Sequence, residues 1–422
     1  MTDDDVVINM KAILGEKAQA PVNDGCCIYR VPFAIHKLNE EAYTPKFVSI
    51  GPFHHNHPRL QNMERHKLSY CKAFLERTQA SSDNLIHYIL DLEPKFRGYY
   101  SHTLEFSREE LVKIIFVDSC FIFELFWKDI HNDQWSSQDK AFIFNPLVAE
   151  TIVLDLLLLE NQLPFFVLEN LYNMSFPARS VHPSFFELTF RYFARYMLHC
   201  DGIRDLTVDN ITHFTDLLRT FYLPHSREKR PCRKEEFVKH LPSATELSEA
   251  GVKFKVKTKN SNCLFNFTFS RGVLEMPQLL VEDRTEVVFR NIMVLEQFHY
   301  PEESYITDYA FVLDFLINTS KDVDILVQKG VLVNYLGDSD SVANMFNSLC
   351  KNILHVNFCS HYFDLCTDLD DFHRNPCNKL KSTLRRDYCQ SPWQTAASIA
   401  AIILLILSFI QTLCSIWQVV RQ

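Results

Sequence analysis

Along most of this chain apolar residues return every third or fourth position, the spacing that lines one face of a helix. The stretch "FSREELVKIIFVDSCFIFELFWKDI" begins with Ser107 as N-cap and Glu110 three residues on, a capping box, before a long apolar run. "EDRTEVVFRNIMVLEQF" repeats the device with Asp283 and Glu286, then sets Val288, Ile292 and Leu295 on one face. "ITDYAFVLDFLINTSKDVDILVQKG" predicts two shorter helices that start near Thr307 and Asp322, the second stopped by Gly330. Alternation with period two is rare. Phe265, Phe267 and Phe269 alternate with Asn266, Thr268 and Ser270 ahead of a turn at Gly272, and "GVKFKVK" precedes them. A small antiparallel sheet is therefore expected between Gly251 and Val281, with "KFVSIG", Lys46 to Gly51, as a further edge strand. The expected fold is mainly α, in the α+β sense: a large helical domain with a minor sheet.

The C-terminus breaks the pattern. "WQTAASIAAIILLILSFIQTLCSIWQVV" has no charged residue between Asp387 and Arg421. A helix from Trp393 to Trp417 rises about 36 Å at ~1.5 Å per residue, enough for a hydrocarbon core of about 30 Å. Trp393 and Trp417 suit the two interfaces, and Ile399, Leu404 and Phe409 lie in the apolar middle. The N-terminus "MTDDDVVINMKAILGEK" lacks the basic start and apolar run of a signal peptide. Lys379, Lys381, Arg385 and Arg386 precede the apolar helix and only Arg421 follows it, so the positive-inside bias keeps the large domain cytosolic. The same basic strip suits anionic lipid head groups. Nothing selects the plasma membrane over an internal one. Sequons at Asn173, Asn210, Asn266 and Asn318 would matter only if the topology were inverted. The chain divides into a tail over 1–25, a folded domain over 26–388 and a membrane helix over 393–418, with Pro224 to Pro242 as a polar, proline-bounded linker candidate.

Composition narrows the chemistry. A chain of 422 residues, 47% hydrophobic and 23% charged, belongs to the globular class. Its net charge of −9 draws no nucleic acid, and interleaved Glu228, Glu235 and Glu236 weaken the basic cluster at 227–234. Only 9 glycines occur, none in a GxGxxG, GxxxxGK or GxSxG arrangement, which excludes phosphate-cradling loops and nucleophile elbows. The 13 cysteines make no CxxC pair and read as free thiols in a reducing compartment.

One stretch looks like chemistry: "IGPFHHNHPRLQNMERHK", Ile50 to Lys67. Yet "HHNHP", bounded by proline, is expected to be extended, with His55 and His57 facing one way and His54 the other, and Glu64 and His66 are expected about 200° apart on the following helix. They cannot share a metal. Lys67 falls in the middle of that helix's apolar face with Glu64 at i−3, an arrangement for a buried ion pair. In "DLLLLENQLPFFVLENLY", Glu160, Asn161 and Gln162 interrupt an apolar run, with Pro164 opening the next helix, and "VLEQF" repeats the device with Glu296 and Gln297. Buried polar groups must be hydrogen-bonded, so Glu64, Lys67, Glu160, Asn161, Gln162, Glu296 and Gln297 are expected to form an internal network. Asp118 and Glu124 lie about 240° apart on one helix and make no acid and base pair. No catalytic residue, cofactor or metal site emerges.

The blocks "CCIYRVP", "YTPKFVSIGPFHH" with "MERHK", "LLLLENQLPFFVLE", "PSATELSEAGVKFK", "GVLEMPQLLVEDRTEVVFRN" and "ITDYAFVLDFLI" resemble, in order and over nearly the whole chain, the plant proteins grouped as domain of unknown function 247. The resemblance implies a plant membrane protein with a large domain before one C-terminal span and no established activity, cofactor or catalytic residue. Some grass members are similar to male determinants of self-incompatibility, which implies recognition for part of the family. Members often carry glycine where this chain has Ser119. The expected function is that of a membrane-anchored, non-enzymatic interaction protein, with lipid and an unidentified protein as partners. The alternatives are a hydrolase or transferase using His54, His55 or Lys67, and a cell-surface recognition ligand.

Overall fold

A computed structural model describes residues 25–131, 145–176, 182–196, 211–224, 230–238, 240–257, 267–378, 380 and 392–420. Residues 1–24 of the expected tail, Asn210, Asn266, Phe265 and the basic residues Lys379, Lys381, Arg385 and Arg386 lie outside these. The fold is mainly helical, with a sheet of few strands and one apolar C-terminal helix.

Helix α1 (Gln61–Thr78) and α2 (Ser82–Arg97) flank α3 (Arg108–Ile130). The Ser107 and Glu110 capping box opens α3, whose residues Leu111 to Phe126 are buried almost all round, as suits a helix that is apolar on every face. Paired side chains set the register of α1 on α3: Tyr70 meets Phe121 at 5.4 Å and Phe74 meets Phe123 at 5.3 Å between ring centroids. Helices α4 (Pro146–Leu157), α5 (Phe165–Met174), α6 (Phe185–Tyr196) and α7 (Phe214–Phe221) complete this half. Pro164 is the N-cap of α5.

After α8 (Ala244–Ala250) come strands β1 (Lys253–Val256), β2 (Thr268–Ser270), β3 (Val273–Met276) and β4 (Leu279–Val281). Here the antiparallel expectation needs correcting. β2 and β3 form an antiparallel hairpin through Arg271 and Gly272, both at positive φ, but β1 pairs with β3 in parallel. The two-residue turn fixes only the pair it joins. β4 pairs in parallel with the distant β5 (Leu332–Asn334), the connection running through α9 (Asp283–His299), α10 (Tyr305–Leu316) and α11 (Ser320–Gln328). The cap of α9 is also shifted: Glu282 and Thr285 make its capping box instead of Asp283 and Glu286. Helices α12 (Ser339–Leu349) and α13 (Ser360–Arg374) close the domain.

Within the linker candidate, two arginines are tied to the domain. Arg230 pairs with Glu303 at 2.7 Å and Arg233 with Asp308 at 2.9 Å, while one cluster of buried apolar side chains continues from before this segment to after it. Helix α14 (Pro392–Val420) carries the apolar run: from Ala400 to Trp417 it has a mean hydropathy of 2.2 and no residue buried. It is long and apolar enough to cross a membrane. Trp393 and Ile399 lie on it, and Leu404, Phe409 and Trp417 are exposed.

Candidate functional site

The segment Lys46–Gly51, read above as an edge strand, pairs with no other strand. Side chains satisfy its backbone instead. Asp155 of α4 accepts the N–H groups of Lys46, Phe47 and Val48 at 2.6–2.8 Å. Asn161 accepts the Ile50 N–H at 2.7 Å and donates to the Val48 carbonyl at 3.0 Å. Asp118 of α3 accepts the Gly51 N–H at 2.8 Å. Buried backbone groups need partners, and here carboxylates and an amide take the place of a neighbouring strand. At Gly51, φ is +72° and an added Cβ would sit 2.4 Å from the Gln162 carbonyl oxygen, so only glycine fits.

Lys67 is fully buried and pairs with Asp118 at 2.6 Å and with Glu64 at 2.7 Å. Burial works against its charge, yet Asp118 and then Glu64 outweigh it and hold the amine above the ordinary lysine range. A nucleophilic lysine needs the opposite shift. Glu160 accepts from Arg30 at 2.6 Å and from the Val31 N–H at 2.7 Å, and lies 3.4 Å from His54 Nε2. Burial pushes its carboxyl up, but His54, Arg30 and the Val31 N–H together bring it below the usual glutamate value. Gln162 donates to the Leu156 and Leu158 carbonyls and accepts the Phe214 N–H, which joins α4 to α7. Asp155 is buried among apolar neighbours, and this lifts its carboxyl to about 7 against the pull of its three N–H donors.

Two of the expected network members sit elsewhere. Glu296 is buried in a second cluster, where it accepts from Arg219 at 3.0 Å and from the Thr307 N–H and hydroxyl at 2.8 Å. Gln297 accepts the Leu354 N–H on the surface. The seven side chains thus fall into a latch around residues 46–54 and 155–162, a second buried cluster, and one surface contact.

Three of the histidines border an open cleft of about 460 Å³, walled by Arg30, by Pro52–His54 with Asn56 and His57, and by His102–Phe106. Lys67 does not line it, nor does His55, whose ring sits edge-on to Phe106. Among the described residues no three His, Cys, Asp or Glu side chains gather as a metal would require. The walls are held from behind. Arg97 donates to the Leu104 and Phe106 carbonyls, Ser101 N–H to Ile28, and Tyr100 packs edge-on against Phe53 at 5.2 Å.

Residues 28–407 match the family described as a plant protein of unknown function, domain of unknown function 247. The chain belongs to that family. Among its relatives are two proteins of Arabidopsis thaliana. The UPF0481 protein At3g47200 is 28% identical, over 93% of this chain and 87% of its own length. The putative UPF0481 protein At3g02645 is 22% identical, over 91% of this chain and 89% of its own. No solved structure matches. No enzymatic or other function is assigned to the family.

Against that background, the residues that sequence reasoning missed carry the latch. For Asp118 the signal is there: a single acid inside "IIFVDSCFIF" marks a buried charge in need of a base. Asp155 and Arg30 had no local signal, because their partners lie 107 to 130 residues away in the sequence. Ser119 places a buried hydroxyl without a hydrogen-bond partner next to Asp118.

Proposed function

We propose that this member of the family is a single-pass membrane protein whose folded domain faces the cytosol and acts by binding other proteins, without turnover. The carrying observation is α14, whose residues Ala400–Trp417 expose a largely apolar surface without a charged residue, none of it covered by the domain. Leaving such a surface in water is unfavourable by about 25 cal/mol per Å² of apolar area, and a bilayer removes it. The basic residues ahead of the helix favour cytosolic orientation. The non-enzymatic part is supported by the interior: Lys67, Asp118, Asp155 and Glu296 each spend their hydrogen bonds on holding the fold together. The test is fractionation of the tagged full-length protein from plant tissue. Retention in the membrane pellet after carbonate and high-salt washing is expected, and release by either wash overturns the anchor. Proximity labelling from the N-terminus then recovers partners, and its cytosolic or luminal catch reports topology.

A second reading, a cell-surface recognition ligand of inverted topology, draws on Asn173 and Asn318, both exposed and both in sequons. A mobility shift on endoglycosidase treatment would favour it over the cytosolic domain.

A further inference from the structure

We infer that α14 does more than hold the domain at a bilayer: one face of it, centred on Gln411, pairs with the same face of a second copy of this chain. The inference rests on the spanning role proposed above for this helix. At about 100° per residue, the positions of Ala400–Trp417 divide into two sides of unlike chemistry. On one side lie Ala400, Ala401, Ser408, Gln411, Thr412 and Ser415, all small or polar, with Cys414 and two leucines among them. The other side, bounded by Leu405 and Ile403, holds only large hydrophobic residues. All of these side chains are exposed, so the domain covers neither side. Lipid acyl chains suit the second side but satisfy no polar group on the first.

Gln411 turns that asymmetry into a need for a partner. With the span running from Trp393 to Trp417, its Cα lies about 9 Å from the mid-plane, inside the ~15 Å half-thickness of the hydrocarbon. Helical side chains lean toward the N-terminus, which carries this carboxamide deeper instead of toward the far head groups. The hydroxyl of neighbouring Thr412 is satisfied within the helix, where it donates to the Ser408 carbonyl at 2.8 Å. The Gln411 carboxamide has no partner among the described residues. In a medium without water such a group is costly until another polar group meets it.

A second α14 supplies that group. A carboxamide both donates and accepts, so two of them at equal depth bond to each other reciprocally. An identical helix inserted in the same direction provides the equal depth. Ala401, Leu404, Ser408, Gln411 and Ser415 follow one another at steps of three and four residues, the seam of a left-handed helix pair, and the alanine and serines let the two backbones approach.

The test is energy transfer between donor- and acceptor-labelled copies of the purified full-length chain in phosphatidylcholine vesicles, followed as lipid dilutes the protein. Transfer above that of randomly placed molecules is expected. Gln411→Leu should raise the protein density needed for half-maximal transfer by about fivefold or more. Gln411→Asn, which keeps the carboxamide, should stay close to the native chain, and so should Ile402→Ala on the opposite side. A carbonate wash of the same vesicles separates the two ways to fail. Gln411→Leu makes the helix more apolar, so its retention reports the anchor while its transfer reports the pairing. Release of the native chain by carbonate overturns both. Retention without transfer overturns the pairing alone and leaves the face to lipid or to another protein's helix. Transfer that Gln411→Leu leaves intact also overturns it, and moves the contact to the domain.

Discussion

Single side chains here do the work of whole strands. Lys67 neutralises two carboxylates from a position with no solvent exposure, so removing its amine leaves Asp118 charged in an apolar interior. Lys67→Met is expected to cost about 3–5 kcal/mol, read as a lowered urea midpoint, and Asp118→Asn in the same chain should recover part of that. Equal losses in the single and double variants would contradict the pairing. His213 is the residue to watch with pH. It is fully buried, with Nε2 at 3.1 Å from the Cys27 carbonyl and Nδ1 accepting the Asp216 N–H at 3.3 Å, so it is held neutral with its proton on Nε2. Burial brings its pKa down to about 4. Its folded value lies below its unfolded one, near 6.5, so its contribution is fully present above pH 6.5. That contribution falls as the pH drops toward 4, by about 3 kcal/mol in total. Asp155, with its carboxyl raised to about 7, contributes in the opposite sense, so the comparison must be with His213→Gln. The difference in stability between the two chains should shrink from pH 7 to pH 4.

At the scale of elements, local sequence rules worked where the element's end is chemically marked. Ser107 and Glu110 cap α3 reciprocally, and Ser107→Ala should lower stability by about 1 kcal/mol in thermal denaturation without altering the cleft. Gly330, at φ +71°, follows α11 where the pattern placed a stop. The failures have a common cause. β1 runs parallel to β3, the Lys46–Gly51 segment pairs with side chains, and Glu296 finds Arg219 on α7, all of them choices made by partners far along the chain. Periodicity reports which face of an element is buried, not what it is buried against. The polar triplet Glu160, Asn161 and Gln162 was legible as buried because it interrupts an apolar run. Its three separate partners, Arg30, the Ile50 amide and the Phe214 amide, were not. The cleft was legible only as a cluster of histidines, since half its wall comes from His102–Phe106, between α2 and α3.

Taken whole, the molecule joins a domain with a continuous apolar core to a helix with an apolar exterior. The two halves of the domain share that core, and α7 and α4 both pack on α9 to close it. Aspartates placed in the middle of α14 should test the division of labour. Leu404→Asp with Leu407→Asp is expected to add about 2.5–3.5 kcal/mol per residue to membrane insertion, and to move the protein into the carbonate supernatant. The domain's thermal midpoint should stay where it was, because neither side chain touches its core.

The clamp on Lys46–Gly51 leads to a last expectation. An ordinary exposed strand frays from its ends and trades its amide protons for deuterium by small local openings. Here the amides of Phe47, Val48, Ile50 and Gly51 are gripped by groups on α3, α4 and the turn that follows α4, so they come free only when those helices separate. Their deuterium uptake should therefore match the slowest class in the protein, and a segment without a neighbouring strand would become the gauge of complete unfolding.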